Sequence, residues 1–415
     1  MPAHERAAIL TRVSEGISGQ TEVLARIIAE EVRKPISDAR REAARAAFTF
    51  RWAAGEALRF GGEVQPLDLE PGSEGRLALT RRFPKGPALL ISPFNFPLNL
   101  AAHKVAPAMA VGAPFVLKPA SCARKTAAEL LRLVLAAGWP AEAAAVADLS
   151  GAEAEALVQD ERFAVVSFTG SPAVGWRIKS LAGRKSVLLE LGGNAGVFVG
   201  EDADLDRAAA RCAWGAYCYS GQVCISVQRI YAARSVYRAF RDKLLAEIAK
   251  LRVGGPMDGA TVVGPLITEA AAERVEAWVR EAEAAGGKLL CGGSRAGDLM
   301  PPILIEDAPA GCRVNCEEAF GPVACISAVD SAEQALRAIA DSRYGLQAGI
   351  FTRDMGVILR FWEELPVGGV IVDDVPTFRC DAMPYGGVKD SGLGREGVRW
   401  AMEELSDIRT LVLRH

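Results

Sequence analysis

The sequence predicts an α/β protein built as two packed domains around parallel sheets. A chain of 415 residues, half of them hydrophobic, is too long for one ordinary core. Short apolar runs alternate with helical stretches through residues 88–191, the pattern of a parallel sheet covered on both faces. A second alternation of the same kind runs from Val227 to about Val388.

Taken in order, residues 7–60 read as two long helices, with Pro35 placed to begin the second and Gly61-Gly62 to close it. Over 75–83, Leu77, Leu79 and Phe83 roughly alternate with polar residues, which predicts a half-exposed strand whose edge needs a partner. Strands are then expected at 88–92, 114–118, 163–168 and 187–191, with helices at 98–111, 124–137 and 173–181. Such a fold places a nucleotide at the C-terminal strand ends. No Gly-x-Gly-x-x-Gly signature follows a strand within 88–191, so a dinucleotide site rests on Gly170-Ser171 opening a helix that also carries Gly175, where backbone N–H groups can face a pyrophosphate. An ordinary strand-to-helix turn accounts for the same residues equally well. In the second alternation, strands are expected at 228–232, 323–328, 347–351 and 369–372, and a helix over 204–219. The stretch 141–156 is rich in Ala and Glu, and no low-complexity linker or internal repeat is present.

A net charge of −3 gives no general attraction to nucleic acid or to an anionic membrane, and neither is expected as a partner. No apolar run approaches the length of about 18 residues expected of a membrane span, and the start Met1-Pro2-Ala3-His4-Glu5-Arg6 lacks a signal-peptide pattern. A cytoplasmic location follows as the expectation. The nine cysteines are odd in number and irregularly spaced, so reduced thiols are expected. With no Cys-x-x-Cys pair and three histidines, no metal site is expected.

The stretch that organises the chain is Ser220-Gly221-Gln222-Val223-Cys224-Ile225-Ser226. A cysteine taken alone is most often a small buried hydrophobe. Here Gly221 lets the backbone approach a ligand, Gln222 offers polar contacts, and the thiol follows a helix, which is a plausible seat for a nucleophile. Upstream, Glu190 is a carboxylate in the apolar run Leu188-Leu189-Glu190-Leu191 that ends at Gly192-Gly193-Asn194, and it needs a reason to be there.

Seven segments in sequence resemble the aldehyde dehydrogenase superfamily. They are Pro93-Phe94-Asn95-Phe96-Pro97, Leu117-Lys118-Pro119, Phe168-Thr169-Gly170-Ser171, the Glu190 run, Gly221-Gln222-Val223-Cys224, Glu317-Glu318-Ala319-Phe320-Gly321-Pro322, and Pro384-Tyr385-Gly386-Gly387-Val388-Lys389 through Gly394-Arg395-Glu396. Through 221–229 and 376–385 the resemblance is to the branch acting on small polar aldehydes such as lactaldehyde and semialdehydes. It implies a Rossmann-like cofactor domain (1–71 and 85–192), an α/β catalytic domain (193–395) and β-strand oligomerisation arms (72–84 and 405–415). The arm strand is implied to pair across a subunit interface with the C-terminal strand, giving a homodimer or homotetramer. Family members usually carry several dozen residues before the position where this chain starts, so the cofactor domain is expected to be short at its N-terminus.

The same resemblance implies site roles. Oxidising an aldehyde by hydride transfer needs a tetrahedral intermediate, which a thiol adding to the carbonyl makes; Cys224 is the implied nucleophile. Asn95 supplies an oxyanion donor beside the Cys224 backbone N–H, and Glu190 is the base that activates water against the thioester. Lys118 reaches the adenosine ribose, while Glu318 and Phe320 hold the nicotinamide ribose and ring. The cofactor is NADP or NAD, and Ser121, standing where many NAD-using members carry a glutamate, favours acceptance of NADP. Ser121 can equally cap the next helix. Arg379 is a candidate grip for an anionic group on the aldehyde, a surface ion pair being the commoner fate of an arginine. Two readings compete with oxidation to a free acid: transfer of the acyl group to coenzyme A, which Glu190 disfavours, and a non-catalytic binding role. Two positions depart from the family pattern, Tyr219 and Asp373, where asparagine is common.

Overall fold

The structure is a computed structural model that describes residues 1–414. The chain opens with α1 (Ala3–Gly19), α2 (Thr21–Val32) and α3 (Ile36–Arg59). Three helices therefore stand where two were expected. The extra break falls at Gln20, directly after Gly19, where the Gln20 N–H bonds back to Ile17 at the end of α1. Strand β1 (Val64–Pro66) and β2 (Arg76–Pro84) follow, then β3 (Ala88–Ile91), α4 (Asn99–Val111), β4 (Phe115–Lys118), α5 (Arg124–Ala136), β5 (Ala144–Val146), α6 (Gly151–Gln159), β6 (Val165–Thr169), α7 (Pro172–Leu181) and β7 (Ser186–Glu190). The Ala/Glu-rich stretch thus contains β5 and runs into α6. That helix starts with a capping box in which Ser150 accepts from the Glu153 N–H and the Glu153 carboxylate accepts from the Ser150 N–H.

The second half supplies β8 (Ala195–Val199), α8 (Leu205–Tyr217), β9 (Val227–Ala233), β10 (Lys288–Cys291), β11 (Ile303–Glu306), β12 (Val323–Val329), β13 (Tyr344–Gly345), β14 (Gln347–Phe351) and β15 (Gly369–Val372). It ends with β16 (Val388–Lys389), β17 (Gly392–Leu393), a helix at Val398–Glu404 and β18 (Ser406–Arg414).

Two large sheets result. The first has the order β17-β7-β6-β3-β4-β5, parallel except where β17 joins β7. The second has the order β10-β11-β12-β9-β8-β14-β15, parallel except at β10. Both are covered on both faces. Along β3, Ala88 and Leu90 pack into the cluster made by α1 to α5, whereas Leu89 and Ile91 pack with Val158 of α6 and Ile178 of α7. Along β8, Val197 and Val199 meet α8, and Phe198 meets Leu336 and Phe361 on the opposite face. The chain passes from one sheet to the other between Glu190 and Ala195, and β17, from the segment 193–395, returns to the first sheet.

The arm differs from expectation. β2 pairs antiparallel with β18 of the same chain over its whole length, from Arg76 opposite Arg414 to Pro84 opposite Ser406, and β1 lies on its other edge. The pairing is intramolecular because the helix at Val398–Glu404 packs on α4 and returns the C-terminus beside Pro84. The last residue of the expected arm 405–415, His415, lies outside the described residues. No helix among the described residues is long and apolar enough to cross a membrane.

Candidate active site

The site forms where β7 ends and the chain crosses between the sheets. Glu190 is the last residue of β7 and is 4% exposed. A methyl group at Gly193 would lie 2.1 Å from the Cys224 carbonyl oxygen, and one at Gly192 would lie 2.6 Å from Glu318 Oε2. The paired glycines are there because the nucleophile segment and Glu318 press against this backbone.

The Cys224 segment leaves α8 through a short turn with an unusual backbone. Tyr219, Ser220 and Gly221 all have positive φ, at 49°, 57° and 68°. Left-handed non-glycine residues cost roughly 1–2 kcal/mol each, so neighbours must hold the turn. Ser220 Oγ donates to the Gly264 carbonyl at 2.6 Å, the Tyr219 N–H reaches the Val262 carbonyl at 3.2 Å, and Gln222 Oε1 accepts from the Ile267 N–H at 2.9 Å. Gly221 was expected to admit a ligand. It admits protein instead, since a methyl group there would sit 2.1 Å from the Gly321 carbonyl oxygen.

Cys224 emerges partly exposed, with Sγ 3.2 Å from the Tyr385 hydroxyl. Burial pushes its thiol up to about 12, against the lowering effect of the Tyr385 hydrogen bond. Asn95 is buried and donates from Nδ2 to the Gln222 carbonyl at 3.0 Å, which ties its turn to the nucleophile loop and leaves the second amide hydrogen for a ligand.

Glu190 Oε2 has no hydrogen-bond partner. Burial raises its pKa well above the ordinary carboxylate range and the nearby Glu396 adds to this, while Arg379, Lys104 and Arg395 act the other way. Glu396 itself accepts from Lys104 Nζ at 3.0 Å and from Arg379 at 3.1 Å. Burial works to raise it, but Lys104 and Arg379 outweigh that and hold it down to about 2. Two buried carboxylates that feel each other's charge are therefore pushed in opposite directions, Glu190 towards its neutral form and Glu396 towards its ionised form.

Arg379 was placed on a loop near the substrate mouth. Its side chain is 5% exposed, pairs with Glu396 and lies over the Tyr385 ring at 3.7 Å, and its Nε has no hydrogen-bond partner. It lines a cavity of about 220 Å³ with Phe96, Trp214, Tyr219, Val223 and Thr377. The loop is anchored by Asp381, which takes a bidentate pair from Arg45 and further bonds from Asn99 and His103.

The expected dinucleotide residues lie across the first sheet's C-terminal edge, as the fold requires. Lys118 ends β4, and burial lowers its pKa. Gly170 and Ser171 open α7, where Ser171 makes no side-chain cap and Pro172 occupies the first turn, so the N-terminal N–H groups stay available to an anion. Thr169 Oγ1 beside them is buried without a partner. Gly175 lies against Leu191, where a methyl group would come within 2.3 Å of its side chain. Glu318 accepts from the Gly193 N–H at 3.0 Å, and burial raises it to about 7. Phe320, at φ 46°, meets Phe94 edge-on at 5.9 Å. These residues fit a nicotinamide dinucleotide: an open helix end for the pyrophosphate, a cation for the ribose side, and a carboxylate and ring for the nicotinamide half. Ser121 is exposed and does not cap α5, whose flanking residue is Ala123. The Glu31 carboxylate takes that place, accepting from the Lys125 and Thr126 N–H groups. A larger cleft of about 730 Å³ opens beside Phe163, Gly183 and Lys185, at the opposite ends of the strands.

Sequence reasoning assigned no role to Tyr385, Glu396 or Lys104. Lys104 carried a readable signal, being the one lysine in an α4 that is buried along its whole length. Such a charge requires a buried partner.

Fold and site together define an oxidoreductase acting on aldehydes, with a nicotinamide dinucleotide as cofactor. The aldehyde dehydrogenase family pattern matches residues 1–411, and the chain belongs to that family. It is 43% identical over 411 residues to the 3-sulfolactaldehyde dehydrogenase of Priestia aryabhattai, covering 99% of this chain and 86% of that protein. Among solved structures, aldehyde dehydrogenase 21 from Physcomitrella patens, in complex with the reaction product succinate, superposes with a TM-score of 0.98 at 42% identity, covering 100% of this chain and 86% of that one. Glyceraldehyde-3-phosphate dehydrogenase from Methanocaldococcus jannaschii, complexed with NADP, does so with a TM-score of 0.96 at 40% identity, covering 100% and 90%.

Proposed function

We propose that this enzyme oxidises a small aldehyde bearing an anionic group to its free carboxylic acid, using NADP or NAD. The observation that supports the reaction is the grouping about Cys224: Asn95 is tied to the Gln222 carbonyl two residues before it, and the unpartnered carboxylate of Glu190 lies close enough for its charge to act on the thiol. Cys224 adds to the aldehyde carbon as its thiolate, and the carbonyl oxygen becomes an oxyanion that accepts hydrogen bonds from the Asn95 amide and the Cys224 N–H. Lys118, Ser121, Gly170, Ser171, Gly175, Glu318 and Phe320 would hold a nicotinamide dinucleotide, which would supply the hydride acceptor. Loss of hydride from the thiohemiacetal carbon leaves a thioester on Cys224. Glu190 takes a proton from water as its oxygen attacks that thioester, the carbon–sulfur bond breaks, and the acid leaves. Burial disfavours the charged form of both the thiol and Glu190, so each passes its proton to solvent water before acting.

The anionic substrate class rests on Arg379, whose buried Nε lacks an acceptor in a cavity beside the nucleophile loop. Two of the relatives above are named for anionic aldehydes, 3-sulfolactaldehyde and glyceraldehyde 3-phosphate, and the third was solved with the dicarboxylate product succinate. Formation of NAD(P)H with 3-sulfolactaldehyde, succinic semialdehyde, glyceraldehyde 3-phosphate and neutral propanal, with and without coenzyme A, tests the reading. A requirement for coenzyme A, or no preference for the anionic aldehydes, overturns it.

The arm supports assembly of copies. β18 is an edge strand with Ile408, Leu411, Val412 and Leu413 exposed, and β15 is a free edge of the second sheet. Unpaired strand edges of this kind join, so a homodimer or homotetramer is expected in sedimentation, and a monomer at micromolar concentration counts against it.

A further inference from the structure

Lys34 is among the least exposed side chains of the molecule, at 0%, and the chemistry described above does not use it. It stands between α2 and α3, ion-paired with Glu42, and Glu42 in turn accepts from the Leu98 and Asn99 N–H groups at the start of α4. The lysine Nζ lies 3.5 Å from the centre of the Phe96 ring and 4.5 Å from that of Tyr219. Those two rings meet edge-on at 6.1 Å. Phe96 follows the oxyanion donor Asn95, and Tyr219 is the first of the three left-handed residues that lead to Cys224. Tyrosine has no preference for that backbone conformation, which among non-glycine residues favours asparagine and aspartate. Something outside the turn must therefore keep Tyr219 in place. Beyond the turn its backbone N–H bonds to the Val262 carbonyl, and its side chain meets the Lys34 ammonium, the Phe96 edge and, through a hydroxyl bond at 3.3 Å, the Val32 carbonyl two residues before that lysine.

We propose that Lys34 is a positioning residue for the reaction: its buried ammonium, gripping the faces of Tyr219 and Phe96 together, holds the left-handed turn so that Cys224 and Asn95 face one aldehyde. The clamp does the work that an asparagine at position 219 does through its own backbone preference. This rests on Cys224 being the nucleophile.

The test uses Lys34→Met with Glu42→Gln, which removes both members of the ion pair, keeps the volume, and leaves an amide oxygen to accept from the α4 N–H groups. In rapid mixing with aldehyde and cofactor, the rate of the first NAD(P)H burst should fall roughly 10- to 100-fold, the penalty typical of a displaced reacting group. Cofactor affinity, read by fluorescence titration, should stay within about twofold, since the dinucleotide residues lie elsewhere. Adding Tyr219→Asn should restore the burst to within about threefold of the Tyr219→Asn single variant, because asparagine needs no clamp. A lysine that merely stabilised α2 and α3 would not be rescued at position 219, so an unchanged burst, or no rescue, overturns the proposal. If the paired variant does not fold, Tyr219→Leu against Tyr219→Asn gives the same decision: a burst lost only in the leucine variant supports the clamp, and equal bursts refute it. Cys224→Ala run alongside separates the two claims, since a burst surviving there removes the nucleophile assignment itself.

Discussion

Cys224 and Glu190 share a feature that shapes the pH behaviour of the enzyme: burial disfavours the charged form of each. Alkylation of Cys224 in the cofactor-free enzyme, taken as the difference from Cys224→Ala, should keep rising with pH towards about 12, the value to which its thiol is pushed. A plateau below neutrality would mean that a resting thiolate is present. Arg379 belongs to the same scale. With Glu396 on one side and an open Nε on the other, Arg379→Ala should raise KM for anionic aldehydes about tenfold or more while changing that for propanal little. Equal changes in both would reduce Arg379 to the partner of Glu396. At the adenosine end, Ser121 is exposed and carries no capping duty, so Ser121→Glu should shift the kcat/KM ratio towards NAD mainly by weakening NADP. A wild-type enzyme that ignores NADP would refute this before any variant was made.

Helix α8 shows how far an element can be read from its residues and where the reading stops. Its start is written in the sequence: Asp204 accepts from the Asp206 and Arg207 N–H groups, both at 3.1 Å. Asp204→Ala should destabilise the protein by about 1 kcal/mol, visible as a lower urea midpoint, with the burst rate unchanged because the cap lies at the end remote from Cys224. The other end was not legible. The helix was expected to reach residue 219 and instead stops at Tyr217, because Tyr219 to Gly221 turn left-handed under contacts from Val262, Gly264 and Lys34, all distant in sequence. The strands β3, β4, β6, β7, β9, β12 and β14 were legible because continuous apolar runs mark strands buried on both faces, and the edge strand β15 was legible from its apolar run Val370-Ile371-Val372. β10 was not: it is a partly exposed edge strand with a register shift between Leu289 and Cys291, so its residues carry no clean period. The break at Gln20 and the pairing of β2 with its own chain likewise depend on tertiary contacts.

Over the whole molecule, the charges buried between the two sheets set the response to acid. Glu396 and Asp381 have folded pKa values held below the ordinary carboxylate range, so the unfolded chain binds their protons first as pH falls. The stability they confer is present at neutral pH and is lost from the ordinary value of about 4 downward, Glu396 being fully titrated only below about 2. Glu190 has the opposite sign: it is neutral when folded at a pH where the unfolded chain ionises it, which costs stability as pH rises. Glu190→Gln should therefore raise the thermal midpoint at pH 7 and leave it unchanged near pH 3; a variant less stable than wild type at pH 7 would mean that Glu190 is ionised and supported. The same variant gives the most direct test of the account, in which a thiol forms the acyl-enzyme and Glu190 acts only afterwards. Mixed rapidly with aldehyde and cofactor in the absence of coenzyme A, Glu190→Gln should produce a first burst of NAD(P)H stoichiometric with Cys224 and close to the wild-type rate, followed by turnover slowed by roughly 100-fold or more. Loss of the burst, or steady turnover at the wild-type rate, would contradict it.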